Sequence, residues 1–226
     1  MAVSRAALRD RIAAQAAAEL PDGGVVNLGI GLPTDVLDHL DPSRGILVQS
    51  ENGLVGMGPE PPAGQVDPHL INAGGMPVTA RLGAAYTDTA TAFMIIRGGY
   101  VDVAVLGALQ ISETGDLANW VVPGRSVPGV GGAVELAQCA RRVIAVCEHR
   151  SRSGESKIRR SCTLPLTAPG VVDRIITDLA AFDVTSDGLL LTHLAPEATL
   201  AEVAQHTEAS FRAVADPTPL PAGRDR

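Results

Sequence analysis

The residues with the clearest chemical potential are the segment QSENG, residues 49–53, which follows the short apolar run GILV, residues 45–48. Such a run, rich in branched side chains and bounded by turn residues, predicts a buried strand. The carboxylate of Glu51 then stands at a strand end, where ligands bind in open α/β sheets. Asn-Gly is also a strong hairpin signal, so the same residues can form a solvated turn without chemistry.

A glycine cluster at residues 129–132 precedes a predicted helix over residues 133–142. Main-chain N–H groups at such a helix start, here Gly131 and Gly132, have no helical partner and can bind an anion or a developing oxyanion. A plain helix start is the alternative. A carboxylate such as Glu51 can serve as a covalent nucleophile. Because it is a weak nucleophile, it suits an activated acyl group such as a thioester.

The sequence contains few motifs of other catalytic or metal-binding sites. The patterns GxxxxGK[ST], GxSxG and HExxH and the EF-hand loop are all missing, and the five histidines are scattered, so no metal site is predicted. His149 beside Glu148 is predicted to be a solvated surface pair. The GIGLPT turn, residues 29–34, resembles half of a dinucleotide fingerprint, but Thr34 replaces the third glycine.

The elements that must position these residues alternate between helix and strand patterns, which predicts an α/β fold with strands buried in a parallel sheet. We expect one domain over residues 1–215 and a disordered tail over 216–226, where prolines accumulate. Helices are predicted at 4–20, 35–40, 88–97, 133–142 and 199–211, and strands at 25–28, 45–50, 101–106, 143–147, 162–166, 182–184 and 189–194. Long loops are expected at 53–75 and 107–132, and an exposed loop or hairpin at 150–160.

Composition narrows the function classes. The 226 residues carry a net charge of −7, and basic clusters interleaved with aromatic residues are scarce, which argues against nucleic acid as a partner. No apolar stretch is long enough to span a membrane, and residues 4–20 suit an amphipathic helix better than a targeting peptide. Three cysteines without a CxxC pair favour neither a disulfide framework nor zinc. We therefore expect a soluble protein of the reducing cytoplasm.

Several motifs in fixed order resemble one family. Residues 50–53 (SENG) with 56–59 (GMGP), preceded by 29–34 (GIGLPT) and followed by 115–120 (GDLANW) and 162–167 (CTLPLT), are similar to the B subunits of the 3-oxoacid CoA-transferases. The resemblance covers residues 5 to about 213. It implies the three-layer α/β fold, mostly parallel with flanking helices, that this family shares with sugar-phosphate isomerases.

The resemblance also implies a mechanism and a partner. The glutamate of the SENG motif, Glu51 here, forms an acyl anhydride and then a glutamyl-CoA thioester, so CoA is a substrate and covalent intermediate and no cofactor is permanently bound. The B subunit pairs with a separate A subunit, which implies an A2B2-like heterotetramer. Residues expected at the oxyanion or CoA site are Gly131, Gly132, Asn52 and Gly53, and those expected in the substrate pocket are Gly29, Gly31, Asn72, Gly74, Gln110 and Asn119.

The chain departs from the family's usual sequence at two places that can affect substrate preference or CoA binding. Gly75 and Met76 stand where the family commonly has lysine and a polar residue, and Val130 interrupts a usual KGMGG run. No arginine falls in residues 29–34, 72–76 or 107–119, so a second substrate carboxylate has no partner there. We therefore expect transfer from succinyl-CoA to acetoacetate. The alternatives are 3-oxoadipate, acetate or butyrate as acceptor, a catalytically silent scaffold chain, or a sugar-phosphate isomerase or sugar-phosphate-binding regulator on the same fold.

Overall fold

The computed structural model describes residues 3–124 and 129–224. Its α-helices are α1 (Arg5–Ala18), α2 (Thr89–Arg97), α3 (Ala133–Cys139) and α4 (Leu200–His206), with 3₁₀ segments at Leu32–His39 and Pro42–Arg44. Its strands are β1 (Val25–Leu28), β2 (Leu47–Gln49), β3 (Leu54–Met57), β4 (Ala80–Tyr86), β5 (Val103–Gly107), β6 (Gln110–Ser112), β7 (Leu117–Ala118), β8 (Arg142–Val146), β9 (Ile158–Arg159), β10 (Arg174–Ile176), β11 (Ala180–Thr185), β12 (Gly188–Leu194) and β13 (Phe211–Pro219).

Ten of these strands form one sheet in the order β13-β12-β11-β10-β8-β5-β1-β2-β3-β4. The central five, β10, β8, β5, β1 and β2, are parallel, and antiparallel strands flank them on both sides. The register pairs Asn27 of β1 with Gln49 of β2 and Ala104 of β5. The parallel strands therefore end along one edge of the sheet, the edge at which the sequence predicts the site.

Helices cover both faces of this sheet. Neighbouring β5 residues Val105 and Leu106 belong to different core clusters, because successive side chains of a strand point to opposite faces. Val105 packs with Ile12 of α1, whereas Leu106 packs with Ile96 of α2 and Leu136 of α3, and all five are at most 2% exposed. Burying a side chain of this kind stabilises the fold by about 1.5–3 kcal/mol. The predicted three-layer α/β architecture, mostly parallel and flanked by helices, is confirmed.

Short polar side chains begin the helices, as the sequence predicts. Ser4 accepts a hydrogen bond from the N–H of Ala7 at 3.1 Å, and Thr199 accepts one from that of Glu202 at 3.2 Å. Such a cap satisfies a backbone donor that has no partner within the helix. The predicted boundaries are less accurate: α4 ends at His206 rather than near residue 211, and residues 32–39 form a 3₁₀ segment rather than an α-helix.

Several strand predictions are wrong for identifiable reasons. The expected loop over residues 53–75 contains strand β3 near its start. Gly56 in this strand has φ +89° and lies against β4. A glycine inside a strand weakens the sequence pattern by which strands are predicted. The expected loop over 107–132 contains β6 and β7, which form a small sheet with β9. Residues 162–166, predicted to be a strand, join no sheet among the described residues.

The two edges of the main sheet differ. Residues 216–219, expected in a disordered tail, instead belong to β13 at one edge, where Pro217 and Pro219 are tolerated because an edge strand need not donate outward. Strand β4 forms the opposite edge, with the side chain of Leu82 fully exposed and Tyr86 69% exposed. Among the described residues, no helix is both long and apolar enough to cross a bilayer.

Candidate active site

Glu51 lies in the turn of a hairpin that joins β2 to β3. The N–H of Ser50 donates to the carbonyl of Leu54 at 2.7 Å, and that of Gly53 donates to the carbonyl of Ser50 at 3.0 Å. The predicted strand end and the predicted hairpin turn therefore coincide, because the turn directly follows the parallel strand β2. The turn places a half-buried carboxylate at the carboxyl ends of the parallel strands, where ligands bind in open α/β sheets.

The turn is fixed by its residues on either side. Gly53 has φ +113°, and a Cβ there would lie 2.0 Å from the carbonyl oxygen of Thr87, so only glycine fits. The side-chain amide of Asn52 donates to the carbonyl of Ile71 at 2.7 Å. Asn52 and Gly53, predicted at the oxyanion or CoA site, thus hold the shape of the turn that carries Glu51.

The glycine-rich helix start lies directly against this carboxylate. A Cβ on Gly132 would stand 3.1 Å from Cδ and Oε1 of Glu51 and 3.1 Å from Cζ of Phe93 on α2. The backbone N–H of Gly132 is close enough to the Glu51 carboxylate to lower the pKa of that group. The structure brings together the two features that the sequence singled out, although Gly131 is exposed and a Cβ there would meet nothing within 4 Å.

Three effects act on the ionisation of Glu51. Burial raises the pKa of its carboxyl, the backbone N–H of Gly132 lowers it, and the nearby charge of Glu135 raises it, with a net pKa above the usual value. Burial disfavours the charged form because the surrounding protein solvates it less well than water. A carboxylate that is poorly solvated is a stronger base, and so a better nucleophile, than one in water.

Glu135 and Phe93 lie near Glu51, and the sequence analysis did not predict either of them at the site. Glu135 pairs with Arg97 at 2.8 Å, and the Arg97 guanidinium lies 5.6 Å from the centre of the Phe93 ring. The position of Glu135 could have been predicted, because it lies three residues after Gly132 in the predicted helix. The position of Phe93 was not, because it depends on how α2 crosses the sheet.

Four of the predicted substrate-pocket residues lie in two loops that meet beside the Glu51 turn. Gly29 donates to the carbonyl of Val105 at 2.8 Å, and Gly31 adopts φ +89°. In the second loop the buried Asn72 accepts from the N–H of Gly74 at 2.9 Å. A Cβ on Gly74 would lie 3.1 Å from Cγ2 of Ile30, so the loops touch.

The other two predicted pocket residues have structural partners. Oε1 of Gln110 accepts from the N–H groups of Thr163 and Leu164 at 2.8 and 3.0 Å, and Oδ1 of Asn119 accepts from the hydroxyl of Thr167 at 2.6 Å. Within residues 3–124 and 129–224, neither side chain forms a hydrogen bond to the Glu51 turn. These two amides hold the 163–167 segment.

His149 is not the surface residue that the sequence predicts. It is fully buried, with Nδ1 and Nε2 each 2.9 Å from the hydroxyls of Thr177 and Thr207. Burial lowers the pKa of His149 to about 4, so the ring is neutral at pH 7. Among the described residues there is no cluster of three potential metal ligands, and all three cysteines are free.

Comparison with known sequences adds a family to this geometry. The profile described as "Coenzyme A transferase" matches residues 10–206. The chain is 47% identical to the B subunit of a probable succinyl-CoA:3-ketoacid coenzyme A transferase of Bacillus subtilis over 203 residues, which cover 90% of this chain and 94% of the relative. It is 48% identical to the beta subunit of the acetate CoA-transferase of Escherichia coli over 208 residues, which cover 92% and 95% of the two chains.

The fold is also similar to solved structures. The acyl-CoA transferase YdiF of Escherichia coli O157:H7 superposes with a TM-score of 0.76 at 20% identity, covering 98% of this chain. The chain spans 45% of the length of that structure.

Proposed function

Because this chain belongs to the coenzyme A transferase family, we propose that it is the catalytic subunit of such an enzyme and that Glu51 carries the acyl group and CoA in turn. The observation that supports this role is the half-buried Glu51 carboxylate held against the N–H of Gly132 at the carboxyl edge of the parallel sheet. The family decides against the alternative of a sugar-phosphate-binding regulator.

In the proposed reaction a Glu51 oxygen attacks the thioester carbonyl and CoA leaves as a thiolate, which gives a mixed anhydride. The thiolate then attacks the glutamyl carbonyl of that anhydride, so the first acid leaves as a carboxylate and Glu51 becomes a thioester. The acceptor carboxylate reverses these two steps. The energies nearly balance, because each step exchanges one activated acyl group for another.

The N–H of Gly132 has two tasks in this scheme. In the free protein it stabilises the Glu51 carboxylate, and during each addition it donates toward the oxygen that becomes negative. We propose that the backbone N–H of the neighbouring Gly131 is a further donor to this oxygen. CoA serves as substrate and covalent intermediate, and no other cofactor is required.

For the substrates we propose succinyl-CoA as donor and acetoacetate as acceptor. The three loops predicted to form the pocket contain no arginine for a second carboxylate. Transfer to 3-oxoadipate is the next candidate, because a partner chain can supply that cation. The names of the two relatives include both a 3-ketoacid and an acetate enzyme, so kcat/KM values for acetoacetate, 3-oxoadipate and acetate are the deciding measurement.

The relatives are named as B or beta subunits, which supports a separate partner chain. We propose an A2B2 assembly with an A subunit, in which the reacting end of CoA lies between the two kinds of chain. We place it in the cytoplasm, where the three free cysteines stay reduced. If this chain alone were fully active as a homo-oligomer, the half-enzyme proposal would be wrong.

Covalent trapping tests the role of Glu51. The assembled enzyme is incubated with acyl-CoA, treated with borohydride or hydroxylamine, and digested for peptide mapping. We expect modification at Glu51 only, loss of several orders of magnitude in kcat in Glu51→Ala, and near-complete loss in Glu51→Asp, which withdraws the carboxylate by about one ångström. Glu60→Ala, at an exposed carboxylate in the same region, is the matched control. Labelling of another residue, or an active Glu51→Ala enzyme, would refute the proposal.

A further inference from the structure

Two buried side-chain amides lie beside the Glu51 turn. Gln49 is the last residue of β2 and is 0% exposed, and Asn27, its register partner in β1, is 1% exposed. Nδ2 of Asn27 donates a hydrogen bond to Oε1 of Gln49 at 2.7 Å. Ala104, the register partner of Asn27 in β5, belongs to the core cluster that includes residues of α2 and α3. The two amides therefore lie on the face of the sheet that these helices cover.

The amide of Gln49 connects two peptide groups. Its Nε2 donates to the carbonyl of Ser50 at 3.2 Å and to that of Ala92 in α2 at 3.4 Å. The first carbonyl belongs to the peptide that precedes Glu51, and the second belongs to the peptide that precedes Phe93. One amide thus contacts the backbone next to both residues whose side chains meet at the start of α3.

These contacts restrict the peptide group between Ser50 and Glu51. The carbonyl of Ser50 also accepts the hydrogen bond from the N–H of Gly53 that closes the turn, at 3.0 Å. Two donors therefore fix the direction of this carbonyl, and a rotation of the peptide would break both hydrogen bonds. The hydrogen bond from Asn27 keeps Oε1 of Gln49 toward β1, so Nε2 is the atom that faces the turn.

The pair of amides is a poor choice for stability alone. Oδ1 of Asn27 is buried and has no hydrogen-bond partner in the part of the chain that the structure describes. A buried acceptor without a partner destabilises a fold, whereas two apolar side chains of the same shape would leave no such acceptor. A buried polar group of this kind needs an explanation other than stability, and a role at the neighbouring turn supplies one.

We propose that Gln49 is a positioning residue for the transfer reaction. Its amide sets the distance between the Glu51 turn and α2, so that the Glu51 carboxylate stays beside Phe93 and Gly132 while the acyl group and CoA are exchanged. Asn27 acts through Gln49 by orienting the amide. This inference rests on the proposed function, because Gln49 has this task only if Glu51 is the nucleophile. We expect Gln49 to affect the rate of the reaction rather than the affinity for acyl-CoA.

Replacement by apolar side chains of similar shape tests the proposal. Gln49→Met removes the amide, Asn27→Leu removes the group that orients it, and the double variant removes both. Gln15→Met is the matched control, because Gln15 is also buried and also donates a side-chain hydrogen bond, to Glu19 at 2.9 Å, but lies on α1 at the opposite face of the sheet. Each variant is assembled with the partner chain. The measurements are kcat, the KM for acyl-CoA, the rate and site of Glu51 labelling, and the melting temperature.

In Gln49→Met we expect kcat and the labelling rate to fall about tenfold to a hundredfold, because displacement of a reacting group by about 1 Å can cost a factor of about 100. The KM for acyl-CoA should stay within about twofold of the wild type. Both Gln49→Met and Gln15→Met should melt below the wild type, since each leaves polar groups without a partner, but Gln15→Met should keep the wild-type kcat.

The double variant separates position from stability. It should lose no more kcat than Gln49→Met, because residues that act as a unit are not additive. It should melt at a higher temperature than Gln49→Met, because the apolar pair leaves no amide without a partner. The melting temperature then recovers while kcat stays low, which a merely structural role of the two amides does not produce.

Any of three results would overturn the inference. If Gln49→Met keeps the wild-type kcat, the amide does not position Glu51. If kcat of the double variant recovers together with its melting temperature, or if Gln15→Met loses as much kcat as Gln49→Met, the effect is one of stability alone. Failure of the proposed function looks different, because the label in the wild type would then lie on a residue other than Glu51. Label at Glu51 with equal rates in all variants would refute only the role of Gln49.

Discussion

Replacing Gly132 by alanine tests whether the contact between the α3 start and Glu51 is needed for catalysis. Gly132 has φ −79°, which alanine adopts without strain. The new methyl carbon would stand 3.1 Å from Cδ and Oε1 of Glu51. Ordinary carbon contacts begin near about 3.5 Å. The carboxylate must therefore retreat by a few tenths of an ångström or rotate away.

The expected loss follows from that displacement. Misplacing a reacting group by about 1 Å can cost a factor of about 100. We therefore expect kcat to fall about tenfold to a hundredfold in Gly132→Ala. Stability should change little, because alanine is a poorer helix cap than glycine by less than about 1 kcal/mol and reduces the entropy of the unfolded chain by a similar amount.

Steady-state kinetics of the assembled enzyme, the rate of Glu51 labelling and a melting curve measure the two effects separately. Gln138→Ala is the matched control, because Gln138 is an exposed residue of the same helix, α3. It should retain wild-type kinetics. If Gly132→Ala keeps the wild-type kcat and labelling rate, the geometry does not position the nucleophile and our reasoning fails.

Three further predictions follow from the site and the core. In Glu135→Gln, loss of a negative charge lowers the raised pKa of Glu51, so the acid limb of kcat/KM should move to lower pH; an unchanged or higher limb would contradict the assignment. Gly53→Ala should unfold the hairpin at a cost of several kcal/mol, seen by thermal melting, because its Cβ would overlap a carbonyl oxygen 2.0 Å away; wild-type melting would refute this. Burial raises the pKa of the Glu19 carboxyl, but hydrogen bonds and the charge of Arg174 lower it more, so the net pKa is below the usual value. The ionised Glu19 therefore stabilises the folded protein above the unfolded-state pKa, and this contribution is lost as pH falls through the folded-state pKa. In Glu19→Gln, denaturation at pH 7 should show a loss of about 3–5 kcal/mol and a flatter acid dependence.

The position of Glu51 after a strand was predictable from the sequence, whereas the residues that surround its carboxylate were not. The pattern of residues 45–53 fixes a strand followed by a turn, and those local features need no knowledge of distant contacts. Gly132 was predictable as a helix start, but its approach to Glu51 depends on where α3 packs. Phe93 reaches the site for the same kind of reason. Their positions are set by packing between layers, which no local pattern encodes.

Polar residues in the predicted pocket illustrate a second limit. Gln110 and Asn119 looked like ligand-binding amides, and the structure shows them hydrogen bonded to the 163–167 segment. A buried amide needs partners whether or not a ligand is present, so residue type alone does not separate the two roles. Strand β13 shows the converse, since its prolines suggest disorder until the edge position is known.

The difference between the two edges of the main sheet limits how this protein can aggregate. At the β13 edge, Pro217 and Pro219 have no N–H to offer another strand, and a register shift interrupts the pairing with β12. At the β4 edge, Ala80–Tyr86 contains neither lysine nor proline. Addition of a further strand is therefore favoured at the β4 side over the β13 side. Two sheets that meet through β4 then present only their β13 edges, where the prolines disfavour a further strand, so this mode of association favours a pair over a fibre.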